Sequence, residues 1–314
     1  MSTPVCWRSR VEDYLAYRHR LGFALVNDAG RLRHFAEFAE QLGAEHLTTT
    51  LAIQWARTSK RQTPITWARR IEVLRGFARH CLTLDAFTEV PPDGLFGKAH
   101  RRLVPHIFTA EEITALLDAA ENLAPHGGLR PTTCRVVLGL LAAAGLRISE
   151  ATGLTRSNVD LRTGVLTICE AKFRKSRLVP LHSSVTAELR SYADQRDRII
   201  YSPASDHFFL LDNGRPANSN GMLYALHTLC ASLGWQPRGD HRRHRLHDLR
   251  HTFIVQSTLR TYRDGGDPDR AIHALSTYVG HVKVTDTYWY LTGIPELMAI
   301  AGERFHDFAN GGTI

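Results

Sequence analysis

Gly280-His281-Val282-Lys283-Val284-Thr285-Asp286-Thr287-Tyr288-Trp289-Tyr290 is the stretch from which the rest of the chain can be read. Tyr290 ends it, and upstream, in order, stand Arg147, Lys172, His247, Arg250 and His281. Two arginines, a lysine, two histidines and a tyrosine can grip a phosphodiester, protonate a leaving oxygen and attack phosphorus with protein groups alone. Each residue by itself has a plainer explanation. Arg147 follows Gly145 and would complement a helix C-terminus. His247 and Arg250 lie one turn apart and would form an exposed basic face. A tyrosine beside Tyr288 and Trp289 is ordinarily packed. Only the ordered set points to chemistry on a polyanion.

Charge agrees with that direction. The 314 residues carry 39 Lys and Arg against 31 Asp and Glu, a net +8 with a pI near 9.5. Such an excess favours a polyanionic partner, and the length suits two domains. The five cysteines, Cys6, Cys81, Cys134, Cys169 and Cys230, form no CxxC; buried reduced thiols fit better than disulfides or a zinc knuckle. His241, His244, His247 and His251 invite a metal, but they lack a Cys or acidic ligand set, and Arg242, Arg243 and Arg245 would repel a cation. No metal and no cofactor is expected, and those three arginines are expected on a nucleic-acid backbone. Charges at Arg8 and Arg10 and the lack of a long apolar run exclude a leader and a membrane span from the expectation. A cytoplasmic location without a membrane partner follows.

The periodicity predicts mainly helix with a small β-sheet. Residues 1–97 read as a helical domain: one helix near 10–21, one through Leu32, Phe35, Phe38 and Leu42, one capped by Thr48 or Thr49, and one opened by Pro64. The last carries Arg69, Arg70, Arg75 and Arg79 on its polar side. Val90-Pro91-Pro92-Asp93-Gly94 breaks the pattern. Residues 98–107, with Lys98, Arg101 and Arg102, read as a basic linker suited to phosphates. Residues 108–314 form a second, mixed α/β domain. Thr109-Ala110-Glu111-Glu112 is a capping-box pattern. The helix from Pro131 is apolar nearly all round and stops at Gly145. Two strands, 165–168 and 177–181, flank a basic turn at 172–175. Helices are expected near 183–198, 218–233, 247–261 and 270–279.

Five blocks of the second domain together resemble the tyrosine recombinases, the phage integrase family. They are Ala144-Gly145-Leu146-Arg147-Ile148-Ser149-Glu150, the lysine hairpin Ala171 to Leu181, Leu246-His247-Asp248-Leu249-Arg250-His251-Thr252-Phe253, Val279-Gly280-His281, and Tyr290, nine residues after His281. The resemblance implies a site-specific recombinase acting on double-stranded DNA through a 3′-phosphotyrosine. Arg147 and Arg250 would hold the non-bridging oxygens, His247 would take the phenol proton, and Lys172 would protonate the leaving oxygen, with Lys175 as the alternative acid. His281 would hydrogen-bond the phosphate, and Tyr290 would attack, with Tyr288 as its competitor. Arg174 and Lys175, with Arg69, Arg70, Lys98, Arg101, Arg102, Arg242, Arg243 and Arg245, are expected DNA contacts. The N-terminal unit would be the family's core-binding domain. Four protomers, of this chain or with related recombinases, would synapse two sites to integrate, excise or transpose a mobile element. A helix from Pro295 to about Phe308, with Leu297, Ile300, Ala301, Phe305 and Phe308 on one stripe, would pack on its own domain or, as the resemblance implies, dock on a neighbour. The chain departs from the family in extra residues around 263–269, which read as a surface insertion. A type IB topoisomerase or telomere resolvase would share this chemistry, and a DNA-binding regulator would share the fold without turnover.

Overall fold

A computed structural model describes residues 6–101, 103–169, 176–201, 205–281 and residue 306. The chain divides into two units, Met1–Arg102 and Leu103–Ile314.

The first unit is built by caps and breakers that the sequence displays. Its helices are α1 (Trp7–Arg20), α2 (Val26–Gln41), α3 (Thr49–Arg57) and α4 (Pro64–Leu82). Thr48 opens α3 by accepting from the Leu51 amide, and Pro64 occupies the first turn of α4, where its missing N–H costs nothing. Trp7, Phe35, Trp55 and Phe77 fill the centre. Their rings meet edge to face, Phe35 lying 5.4 Å from Trp55 and 5.8 Å from Trp7. The aromatic quadrupoles favour that geometry over stacking. On α4, Arg69 is exposed and donates to the Ala99 carbonyl. Arg70 is half-buried, lies 4.1 Å over the Trp55 ring and donates to Thr58. It is therefore committed to packing in a way that Arg69 is not. Lys98 and Arg101 are exposed, and Arg102 lies outside the described residues.

The second unit wraps around α6 (Leu129–Ala144), whose Leu138, Leu140, Leu141 and Ala144 are buried on every side. Around it stand α5 (Ala110–Ala120), α7 (Ile148–Thr152), α8 (Ser183–Ile199), α9 (Ser219–Ser232), α10 (Leu246–Arg263) and α11 (Pro268–Val279). Thr109 and Glu112 close the expected capping box at the start of α5. The sheet is an antiparallel meander, β1 (Val159–Asp160), β2 (Val165–Cys169) and β3 (Ser176–Pro180), with Leu166 opposite Val179 and Cys169 opposite Ser176. Mainly helical structure with one small sheet agrees with the sequence expectation. β1 was not anticipated, because two residues carry no period. Within 263–269 the helices take Arg263, Pro268 and Asp269, so the connection itself is only Asp264 to Asp267. The stretch expected to be one basic linker is also divided. Arg69 and Glu72 of α4 hold Ala99 and His100, whereas Val104 and His106 bond to Asp240 and Arg238 of the second unit.

Three buried histidines give this unit a definite pH response. His106, His244 and His251 are 1%, 3% and 4% exposed. Burial, assisted by Arg238 and His244, pushes His106 down to about 4. Burial also pushes His251 down, to about 2, with help from His247, and lowers His244. The unfolded chain would titrate these rings near 6.5, so it binds more protons than the folded chain below that pH. Stability should therefore fall as pH drops through 6.5, by about 2 kcal/mol at pH 5 for a ring such as His106. Glu112, held down to about 2 chiefly by its bonds to Arg238, weakens only below the ordinary carboxylate range. The histidines thus own the window between 6.5 and 4.5. Thermal melts should show a lower Tm at pH 5.0 than at pH 7.5, and His106→Gln should flatten the slope. A pH-independent Tm across that window would contradict the assignment.

Candidate active site

Two glycine-terminated helices and one helix start create the site. An α-helix leaves its last carbonyls without intrahelical donors. α11 ends at Val279 with Gly280 left-handed at φ 72°, and the His281 amide returns to the Ser276 carbonyl. This turn uses the Ser276 carbonyl and leaves those of Tyr278, Val279 and Gly280 for other donors. Three guanidiniums take them in succession. Arg177 Nε donates to Tyr278 at 3.0 Å, Arg250 Nη2 to Val279 at 2.8 Å, and Arg147 Nη2 to Gly280 at 2.8 Å. The negative end of the helix dipole favours cations at this place.

Each arginine is also held from a second direction. α6 ends at Gly145, left-handed at φ 60°, and its carbonyl accepts from Arg250 Nη1 at 2.6 Å. The chain then reverses, and Arg147 becomes the residue before α7. Glu150, three residues on, accepts from the Arg147 amide at 2.9 Å and from its Nη1 at 2.7 Å. The same carboxylate accepts from Arg177 Nη1 at 3.1 Å and Nη2 at 2.8 Å. Burial pushes the Glu150 carboxyl up, but Arg177 and Arg147 outweigh it and hold it below the usual carboxylate range. Glu150 is 9% exposed, Arg177 13% and Arg147 37%. Of the three cations, Arg147 therefore presents most surface to a ligand, while Arg250 is fully buried.

α10 supplies the histidine. Its first turn is fixed by Asp248, which is fully buried and accepts from the Arg245 amide at 2.8 Å and from Arg245 Nη2 at 2.7 Å. Arg245, expected on DNA, is thus engaged in holding the helix that carries His247 and Arg250. Arg242 and Arg243 are exposed. His247 is solvent-exposed at the helix start, with its ring edge-on to His251 at 4.6 Å. Desolvation first, then the charges of Arg250, Arg245, Arg147 and His281, push its imidazole down to about 4. A neutral imidazole at neutral pH is the form that can accept a proton.

Four of the six catalytic candidates, Arg147, His247, Arg250 and His281, meet here around the end of α11. Lys172 and Tyr290 lie outside the described residues. So do Arg174, Lys175, Tyr288 and the stripe from Leu297 to Phe305 with Phe308. Sequence reasoning did not single out Arg177, Glu150, Asp248 or Tyr278. For Glu150 and Asp248 a signal existed: an acidic residue three positions after Arg147 and after Arg245, the spacing of a helix-start carboxylate.

The geometry requires glycine at 280. A Cβ there would approach Arg177 Nη1 to 2.8 Å, at a backbone angle that other residues adopt only with strain. Gly280→Ala should cost about 1–3 kcal/mol and slow any reaction that uses Arg147, whose acceptor it displaces. Denaturant melts together with a rate measurement would check this, and wild-type values for both would contradict it.

Comparison with known proteins agrees with the constellation. The family model described as the phage integrase family matches residues 106–293. The chain is 39% identical over 302 residues to the integrase/recombinase y4rB of Sinorhizobium fredii, covering 95% of this chain and 96% of that protein. Among solved structures, the XerH site-specific recombinase bound to its palindromic difH substrate superposes with a TM-score of 0.68 at 16% identity, covering 96% of this chain and 86% of that one. A lambda integrase tetramer bound to a Holliday junction gives 0.61 at 15% identity, covering 90% and 79%. These two show a shared fold. The family model, with y4rB alike along almost its whole length, establishes that this chain belongs to the phage integrase family and is a tyrosine-type site-specific DNA recombinase.

Proposed function

We propose that the carbonyl-ended α11 gathers the groups that cut and rejoin one DNA strand. Arg147 and Arg250 neutralise the non-bridging oxygens of the scissile phosphate, where charge grows in the transition state. Tyr290 attacks phosphorus and gives its proton to His247, and a 3′-phosphotyrosyl bond forms as the bond to the 5′-oxygen breaks. Lys172 protonates that oxygen, and His281 hydrogen-bonds the phosphate. Reversal with a new 5′-hydroxyl rejoins the strand. Bond energy is conserved in the phosphotyrosyl ester, so no external energy source enters. The observation that supports this reading best is the pair of guanidiniums seated on adjacent carbonyls, Val279 and Gly280. Because Arg250 has no exposed surface, contact with a phosphate requires the surroundings of its guanidinium to rearrange when DNA binds.

The proposed substrate is duplex DNA carrying a specific site, with Arg69, Lys98, Arg101, Arg242 and Arg243 on its backbone. Those arginines and the lysine are exposed, as such a role needs. The lambda integrase tetramer on a Holliday junction supports a homotetramer at the synapse. The likeness to the integrase/recombinase y4rB supports DNA integration and recombination as the outcome, which we extend to a mobile element. Cytoplasmic action fits a chain in which no described helix is long and apolar enough to cross a membrane.

The test uses two DNAs: a random supercoiled plasmid, and a nicked duplex bearing the sequence that the wild-type protein enriches from a random pool. Covalent capture confined to the selected duplex is expected. Efficient relaxation of the random plasmid would favour a topoisomerase, and no adduct on either DNA would favour a regulator.

A further inference from the structure

We infer that Arg177 is a positioning residue for the strand-transfer reaction, acting through Glu150 and the end of α11 to set the guanidinium of Arg147. This rests on the proposed role of Arg147 at the phosphate. Arg177 is the third guanidinium at the α11 terminus, and it differs from the other two in what surrounds it. It comes from β3, so it ties the sheet to that helix end. Its Nε holds the Tyr278 carbonyl, while both its terminal nitrogens hold Glu150. Glu150 in turn holds Arg147 by its amide and by Nη1, and Arg147 Nη2 reaches the Gly280 carbonyl. The result is a closed ring: Arg177 to Glu150, Glu150 to Arg147, Arg147 to Gly280, Gly280 through the backbone to Tyr278, and Tyr278 back to Arg177.

Two further contacts brace the ring. Tyr278 Oη donates to the Pro180 carbonyl at 3.0 Å, so helix and strand are joined at both faces of the same residue. The hydrogen side of Gly280 lies against the Arg177 guanidinium, where a methyl group would not fit. A carboxylate bridging two guanidiniums fixes the plane of each, because a fork-to-carboxylate bond is directional. Without Arg177, Glu150 would retain Arg147 but lose the partner that fixes its own rotamer. Arg147 would keep its charge and lose its aim, and misalignment of a preorganised donor is costly to rate. At 13% exposure Arg177 is far less open to a ligand than Arg147.

Single-turnover capture of the selected nicked duplex tests this. Arg177→Gln should slow capture by about 10–100-fold, and Arg177→Lys, which keeps the charge without the fork, should fall between it and wild type. In an Arg147→Ala background, Arg177→Gln should cost no further rate, because its target is already gone. On a duplex whose scissile phosphate is a methylphosphonate, with no anionic charge to neutralise, the Arg177→Gln defect should shrink to within about threefold. An undiminished extra loss in the Arg147→Ala background, or an equal defect on both duplexes, would overturn the inference. If Arg177→Gln does not fold, the same two comparisons are made with Arg177→Lys. Failure of the underlying reading looks different: Arg147→Ala itself would then capture the selected duplex at the wild-type rate.

Discussion

Tyr290→Phe should bind the selected duplex within about threefold of wild type, because phosphate contacts dominate such affinities. Its covalent capture should fall by at least about ten-thousandfold, as expected when a nucleophile is deleted. The change removes one oxygen and leaves ring volume and charge intact. Any loss of binding or folding would therefore indicate a packing role for that side chain, and retained capture would reassign the nucleophile. Tyr288→Phe is the matched control, since the two tyrosines lie two residues apart. It should retain capture. The contrast separates chemistry from the aromatic packing that a Tyr-Trp-Tyr run otherwise suggests.

Arg250→Ala should be nearly as damaging, for two separable reasons. The guanidinium is fully buried and donates to Gly145 and Val279, which belong to the ends of two different helices. Truncation leaves both carbonyls without that donor, at about 1–3 kcal/mol for each buried group, and opens a cavity beside α6. Removing a donor to developing charge costs a further factor of about a hundred to a thousand in rate. Arg250→Lys separates these effects. A lysine supplies a charge but cannot span two carbonyls while facing a phosphate, so it should recover part of the stability and little of the rate. Chemical denaturation and single-turnover capture on the same samples provide both readings. A stable and active Arg250→Ala protein would remove this residue from the site.

Much of this arrangement is legible in the amino-acid order. Pro64, Thr48, Thr109 and Gly145 act through local backbone chemistry, so they mark helix ends that the structure keeps. The apolar helix through Leu138 and Leu141 could only be central. Arg147, His247, Arg250 and His281 were identifiable by order and spacing, and the fold brings them to one helix end. The same reading could not single out Arg177 from its basic neighbours in sequence, because like charges look alike until a partner is seen. Glu150 holds Arg177. Arg245 likewise looks like its neighbours Arg242 and Arg243, yet Asp248 claims it. Arg70 and Arg69 are adjacent in sequence, but the helix turns only Arg70 onto Trp55. In each case the deciding partner is set by rotation about a helix or by tertiary contact, which composition does not encode. The three carbonyls of Tyr278, Val279 and Gly280, without intrahelical donors, were invisible for a deeper reason: main-chain acceptors leave no trace in the side-chain sequence beyond the glycine that ends the helix.

The account depends on which atom becomes joined to DNA. Wild-type protein captured on the selected nicked duplex should be digested with nuclease and protease, and the nucleotide-bearing peptide identified by mass spectrometry. The expected result is a single modified peptide with a 3′-phosphoryl nucleotide on the oxygen of Tyr290. A modification on Tyr288, on a serine, or on no residue despite strand cleavage would contradict it.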